Sequence, residues 1–172
     1  DRKIALKVLH TRGEHGRGAV LREGRALARL RHPEVVTVYE VGVVDDQVFV
    51  AMEYVEGTNL RVWLRTPRTG AQILGVLIEA GRGLAAAHDA ELVHLDVKPE
   101  NLVVDANGHL RVIDFGLARS LEELEATAPG ASPRSSSSSS LRGGTPEYMA
   151  PERLAGARGD ARSDQFSFCV TC

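Results

Sequence analysis

Within VHLDVKPENLVV and just beyond it stand four residues of the types that handle phosphate: Asp96, Lys98, Asn101 and Asp114. Asn and Asp offer oxygen ligands, which suit Mg2+ held on substrate phosphates rather than in an all-protein cage. Asp96 is then left over as a proton acceptor, and Lys98 as a fixed positive charge beside a developing anion. Singly, each also has an ordinary reading, because Asp and Asn are common turn residues and a loop lysine is normally just solvated. Their joint occurrence in this order is what carries weight.

Elements on both sides must position them. KIALKVLH alternates Ile4, Leu6 and Val8 with Ala5, Lys7 and Leu9, which predicts a strand. AVLREGRALARL sets Val20, Leu27 and Leu30 at helical spacing around Glu23. His32-Pro33 closes that helix, because a residue before proline is pushed away from helical angles. VVTVYEVGVV, Asp45-Asp46 and QVFVAMEYV read as an antiparallel hairpin with an acidic turn. From Thr58 the texture turns helical. Leu74, Leu77, Ile78, Gly81, Leu84, Ala85 and His88 recur at three- and four-residue steps and predict the buried face of a long helix. Asn107-Gly108 is a turn signal between two apolar runs, so a short hairpin is expected to bring residues 96–101 and Asp114 to the same side. From Glu122 to Gly144 the chain is rich in Ser, Gly and Pro. It cannot bury enough apolar surface there to offset its ordering entropy, and is expected to be disordered.

Bulk properties narrow the classes. With 172 residues, 43% hydrophobic and 26% charged, the chain has the balance of one globular domain with a sizeable core. A net charge of −2 gives no bulk attraction to nucleic acid or an anionic membrane, and no run approaches the ~18 apolar residues of a membrane span. Lys3, Lys7 and Lys98 are the only lysines, which singles out each of them. Cys169 and Cys172 form a CxxC without the further ligands of a zinc site, and read as two thiols on one helix of a reduced, cytoplasmic protein. The chain starts inside a strand pattern and stops inside the apolar DQFSFCVTC, so it reads as a piece of a longer domain.

HLDVKPEN, then DFG, then TPEYMAPE resemble the catalytic core of the eukaryotic-like protein kinases, over residues 1–172. The fold so implied is α+β and two-lobed. Residues 1–56 would be a small antiparallel sheet with one helix, and 57–172 a partial, mainly helical lobe. Residues 114–152 would form an activation segment with the Ser-rich insertion at about 125–144. The resemblance implies ATP and Mg2+ as cofactors, with Mn2+ as a substitute metal, and serine or threonine of a protein as acceptor. It implies no nucleic-acid partner and no membrane segment in this stretch.

Residue by residue, Lys7 in IALK would grip the α- and β-phosphates, and Glu23 would pair with it. Met52 in VAMEYVEG would be the gatekeeper, and backbone groups of Glu53 and Val55 would hold the adenine edge. Ala5 and Val103 would sandwich the base. Asp96 would accept or orient the hydroxyl proton, Lys98 would steady the transferring phosphoryl group, and Asn101 and Asp114 would hold the metal. Phe115 would pack beneath Asp114, with His94 as further support. Lysine two residues after Asp96 marks the serine/threonine branch. Thr145 would bond back to Asp96 and Lys98 from a peptide-binding shelf, Asp164 would brace the catalytic loop from beneath, and Glu152 would ordinarily meet an arginine further along.

The departures are specific. Leu95 replaces the arginine that most of the family use to clamp a phosphorylated activation loop, which resembles the non-RD group and implies less dependence on loop phosphorylation. Glu152 lacks its arginine, so an unpaired carboxylate and a loosened shelf are expected. Lys7 stands too near the first residue for a glycine-rich loop to precede it, so this stretch alone is expected not to turn over, the parent protein being the active kinase. Ser135 to Ser140 read either as phosphate acceptors or as a low-complexity insertion of no role. Two rival functions remain: a pseudokinase that binds ATP as a scaffold, and a small-molecule phosphotransferase. Lys7, Glu23, Asp96, Asn101 and Asp114 together stand against the first; Lys98 and TPEYMAPE stand against the second.

Overall fold

In the computed structural model the described residues are 2–9, 13–116 and 145–172, and the Ser-rich insertion lies outside them. The alternating pattern forms β1 (Ile4–Leu9), with Ala5, Lys7 and Leu9 turned inward and Ile4, Leu6 and Val8 exposed. Helix α1 (Gly13–Arg29) starts well before its apolar spacing, and buries Val20 and Leu27 against the strands that follow. Those strands are β2 (Val38–Val44) and β3 (Gln47–Glu53). Asp45 and Asp46 have φ of 48° and 63°, the pair of left-handed residues whose twist matches a tight hairpin. The first sheet is antiparallel in the order β1-β3-β2, and its register sets Ala5 opposite Met52 and Lys7 opposite Val50.

A second antiparallel sheet, in the order β4-β5-β6, comprises β4 (Gly57–Asn59), β5 (Leu102–Asp105) and β6 (Leu110–Val112). Gly108, at φ 88°, makes the turn that the sequence signalled between β5 and β6. A parallel bridge from Val35 to Val112 ties the segment before β2 to this sheet, reinforced by the Val36 amide on the Val112 carbonyl at 2.9 Å. The arrangement is the expected α+β one, with a small antiparallel sheet and one helix ahead of the more helical remainder.

Between β4 and β5 run α2 (Leu60–Trp63) and α3 (Gly70–Asp89), the latter opened by a capping box of Thr69 and Gln72. The expected face of α3 needs correction. Val76, Ala80, Gly83, Leu84 and Ala87 form its buried stripe, whereas Leu74, Ile78 and Ala85 face solvent. The helix is apolar nearly all round, so three-and-four spacing fits more than one stripe. What selects the stripe is closeness of approach. A Cβ on Gly83 would come within 2.9 Å of the Glu34 carbonyl oxygen and 3.0 Å of Val112, so this face alone can press onto β6.

Two shorter helices follow the insertion, α4 (Pro151–Leu154) and α5 (Ala161–Thr171). Asp160 caps α5 and exchanges hydrogen bonds with Ser163. Cys169 and Cys172 are free, exposed thiols at the end of this helix. Among the described residues no helix is long and apolar enough to cross a membrane.

Candidate active site

The loop from Leu92 to Lys98 has no ladder of its own, so its backbone groups need partners elsewhere. Asp164, 1% exposed on α5, supplies them. Its carboxylate accepts the His94 amide at 2.7 Å and the Leu95 amide at 2.7 Å, and takes a third hydrogen bond from His88 Nε2 at 2.9 Å. A buried carboxylate is tolerable only with such a full set of donors, and charge-assisted bonds of this kind are each worth about 1.5–3 kcal/mol. The expected bracing of the loop by Asp164 is thus present as geometry. His88 is an addition: the sequence placed it on α3 but held no sign of its distant partner.

His94 is fully buried, its ring 4.6 Å from that of Phe115. Nδ1 accepts the Asp96 amide at 3.2 Å, so Nε2 carries the proton and donates to the Ile113 carbonyl at 2.9 Å. Burial holds the imidazole neutral and pushes its pKa below the ordinary 6.5, against the pull of Asp164. The unfolded chain therefore binds an extra proton once the pH falls below about 6.5, and the fold weakens from there down to the lower folded value. The expected slope is up to about 1.4 kcal/mol per pH unit, read as melting temperature between pH 7.5 and 5. His94→Gln should flatten that part of the profile; an unchanged slope would refute the assignment.

Around this scaffold the chemical groups converge. Lys98 Nζ lies 3.0 Å from Asp96 Oδ2. The Asn101 amide nitrogen donates to the Asp96 backbone carbonyl at 2.8 Å and to Asp96 Oδ2 at 3.1 Å, so the side-chain oxygen of Asn101 is spent in neither bond. The Ile113 amide on the Asn101 carbonyl, at 2.9 Å, brings the strand leading to Asp114 alongside, as the hairpin reading expected. Asp114 is left-handed at φ 62° and partly exposed, while Phe115 beside it is buried. An amide oxygen and a carboxylate suit a hard divalent cation. Among the described residues no three His, Cys, Asp or Glu side chains form a cage, so such a cation would take its remaining ligands from phosphate and water.

Lys7 departs from its expected partner. Its ammonium pairs with Asp114 Oδ1, not with Glu23, which stands half-buried on α1. The resemblance could not weigh this competition, because both carboxylates fall to Lys7 only through long-range packing. Lys7, Leu27, Val38, Met52, Asp114 and Phe115 line one small pocket, so Met52 does face the same space as the lysine. Ala5 lies on the inward face of β1, and Val103 is buried between Asn59 and Arg111. The Glu53 amide is taken by the Thr37 carbonyl at 2.8 Å, and Val55 follows in the link to β4.

The segment from Thr145 onward folds back onto this loop. Lys98 Nζ reaches Thr145 Oγ1 at 3.5 Å. Glu152 corrects the expectation of an unpaired carboxylate: Ser163 Oγ donates to its Oε1 at 2.5 Å, and that bond holds its pKa below the ordinary value. The sequence reading missed Ser163; its place three residues after Asp160, the spacing of a capping box, is the signal that could have found it. Three further contacts escaped the sequence reading. Arg61 on α2 pairs with Glu100 and donates to the Tyr148 hydroxyl at 2.8 Å, joining α2, the catalytic loop and the shelf. Burial, the largest single influence, would raise the Glu100 pKa; the Arg61 hydrogen bond, a backbone hydrogen bond and the charges of Arg61 and Lys98 together outweigh it, and the net shift is downward. Arg153 Nη1 donates to the Leu95 carbonyl at 2.6 Å.

Comparison with known proteins follows the same lines. The sequence matches the protein kinase domain family over residues 1–172. It is 38% identical to the serine/threonine-protein kinase pkn2 of Myxococcus xanthus, covering 98% of this chain and 20% of that protein. It is 37% identical to the serine/threonine-protein kinase PknL of Mycobacterium tuberculosis, covering 99% and 41% respectively. The chain thus spans from a fifth to two fifths of the length of these relatives. The crystal structure of the Mycobacterium tuberculosis PknI kinase domain superposes with a TM-score of 0.71 at 29% identity, covering 98% of this chain and 61% of that one. A loop braced by one buried aspartate, an asparagine bonded to Asp96 with Asp114 brought alongside, and a shelf folded back onto the loop agree with these matches: the chain belongs to the protein kinase domain family, among the eukaryotic-like serine/threonine kinases of bacteria.

Proposed function

We propose that the protein transfers the γ-phosphoryl group of ATP to serine or threonine hydroxyls of protein substrates, in the cytoplasm, with Mg2+ as metal and Mn2+ as its substitute. Asp96 takes or orients the hydroxyl proton, its carboxylate steadied by Lys98 at 3.0 Å and by the Asn101 amide at 3.1 Å. Lys98 offsets charge on the transferring group, and Lys7 holds the α- and β-phosphates. Asn101 and Asp114 hold the metal, which when bound offsets the phosphate charge. Ala5 and Val103 take the base between them, Met52 closes the pocket behind it, and the backbone at Glu53 and Val55 meets the adenine edge. Thr145 opens the peptide shelf. Residues 1–56 and 57–172 serve as parts of the two lobes, with 114–152 as the activation segment.

One observation carries this reading. The Asn101 amide is bonded to both the backbone and the carboxylate of Asp96, so a ligand oxygen and a proton acceptor form one rigid unit. In the purified full-length protein, ATP binding is expected to require Mg2+ and to be lost in Asp114→Asn, with labelled phosphate appearing on serine or threonine of a protein substrate. Tight Mg2+-independent binding without transfer would establish a scaffold instead. Transfer to small alcohols but not to protein would establish the small-molecule reaction.

A further inference from the structure

Leu95 precedes the proton acceptor Asp96, and its carbonyl belongs to the peptide that leads into it. The residue is buried and left-handed at φ 61°, a conformation that costs a non-glycine residue roughly 1–2 kcal/mol. Both of its backbone polar groups are gripped by charged side chains from other elements. Asp164 on α5 holds the amide at 2.7 Å, and Arg153 on α4 holds the carbonyl at 2.6 Å. The amide grip fixes the peptide between 94 and 95 and the carbonyl grip fixes the one between 95 and 96, and with the latter the place where the Asp96 carboxylate can stand.

Arg153 is itself well seated. Its neighbour Glu152 is tied to Ser163, at the start of α5. Gly159 closes over the contact: a Cβ there would come within 2.6 Å of Leu95 Cδ2, 2.8 Å of Arg153 Cδ and 3.0 Å of Arg153 Nε. Lys98 and Thr145 meet at the other end of the same segment, so residues 145–153 are tied to the catalytic loop at both ends. Neither tie involves a phosphate. A leucine at 95 cannot pair with one, and the Arg153 guanidinium holds a backbone carbonyl.

We propose that Arg153 is a positioning residue that latches the shelf to the catalytic loop through the Leu95 carbonyl and sets Asp96 without phosphorylation of the activation segment. This rests on the kinase reading above. The test uses phosphatase-treated full-length protein, with steady-state kinetics beside hydrogen exchange of backbone amides. In Arg153→Met, kcat is expected to fall about tenfold or more, as a displaced catalytic group costs, while KM for ATP stays within about twofold. Exchange at the Asp96 and Val97 amides should quicken while α3 stays as it was. Arg153→Lys should recover only part, since an ammonium lacks the planar fork. Gly159→Ala keeps the guanidinium but crowds it, and should move kcat and exchange in the same direction.

Wild-type kcat and wild-type exchange in both Arg153→Met and Gly159→Ala would overturn the latch. So would loss of wild-type activity on phosphatase treatment. Quickened exchange in the variants, with no phosphoryl transfer by any form of the protein, would leave the latch standing and remove the kinase reading.

Discussion

Asp164→Ala is expected to melt roughly 10 °C or more below the parent domain, at about 2–4 °C for each kcal/mol lost. The side chain reaches no solvent to speak of, and its two oxygens serve three donors. Alanine leaves the amides of His94 and Leu95 buried with nothing to accept them, at about 1–3 kcal/mol each. His88 is partly exposed and can turn to water, so it adds less. A total near about 4 kcal/mol is a large part of the roughly 5–15 kcal/mol that holds a domain together. Asp164→Asn keeps one accepting oxygen and faces its amide hydrogens toward a backbone donor, so about half of the loss should remain. Hydrogen exchange at residues 94 and 95 reports the cause directly. An alanine variant melting within about 2 °C of the parent would mean the carboxylate is dispensable to the loop.

Asp96→Asn should do the opposite, sparing the fold and removing the chemistry. The carboxylate lines the site, where it meets Lys98 and the Asn101 amide. An amide oxygen can still accept from Asn101, so the melting temperature should stay within about 2 °C. A primary amide cannot take a hydroxyl proton, and general-base catalysis is worth about 10²–10⁴ in rate. Phosphoryl transfer should fall by that factor, with nucleotide affinity unchanged. A loss of less than about tenfold would show that the proton leaves by another route, and would move Asp96 from acceptor to mere orienter.

What the sequence could reveal here follows from the range over which each interaction acts. The hairpin at Asp45-Asp46 and the turn at Gly108 were legible because each depends on residues close together in the chain. The grouping of Asp96, Asn101 and Asp114 was legible as well, through motif order and one short hairpin. The buried face of α3 was not. Leu74 and Ile78 have the same spacing as Val76 and Ala80, and only the approach of β6 to Gly83 separates the stripes. Partner choice failed in the same way. Lys7 met Asp114 rather than Glu23, and Glu152 met Ser163 rather than nothing, because side-chain competition is settled in space. Arg153 left no trace at all. Its acceptor is a backbone carbonyl, and every residue has one.

The brace on the loop also imposes an order in time. The amides of His94 and Leu95 find their acceptor 70 and 69 residues later in the chain. At a synthesis rate of about 5–20 residues per second, Asp164 leaves the ribosome's catalytic centre roughly 4–14 s after the loop it will hold. During that interval a nascent chain already carries Asp96, Lys98 and Asn101, with His94 and Leu95 still soliciting water. The proposed proton acceptor is made early and set late, after the shelf beside it has been made. A chain translated only as far as Asn101 therefore carries the proposed site residues without the means to aim them.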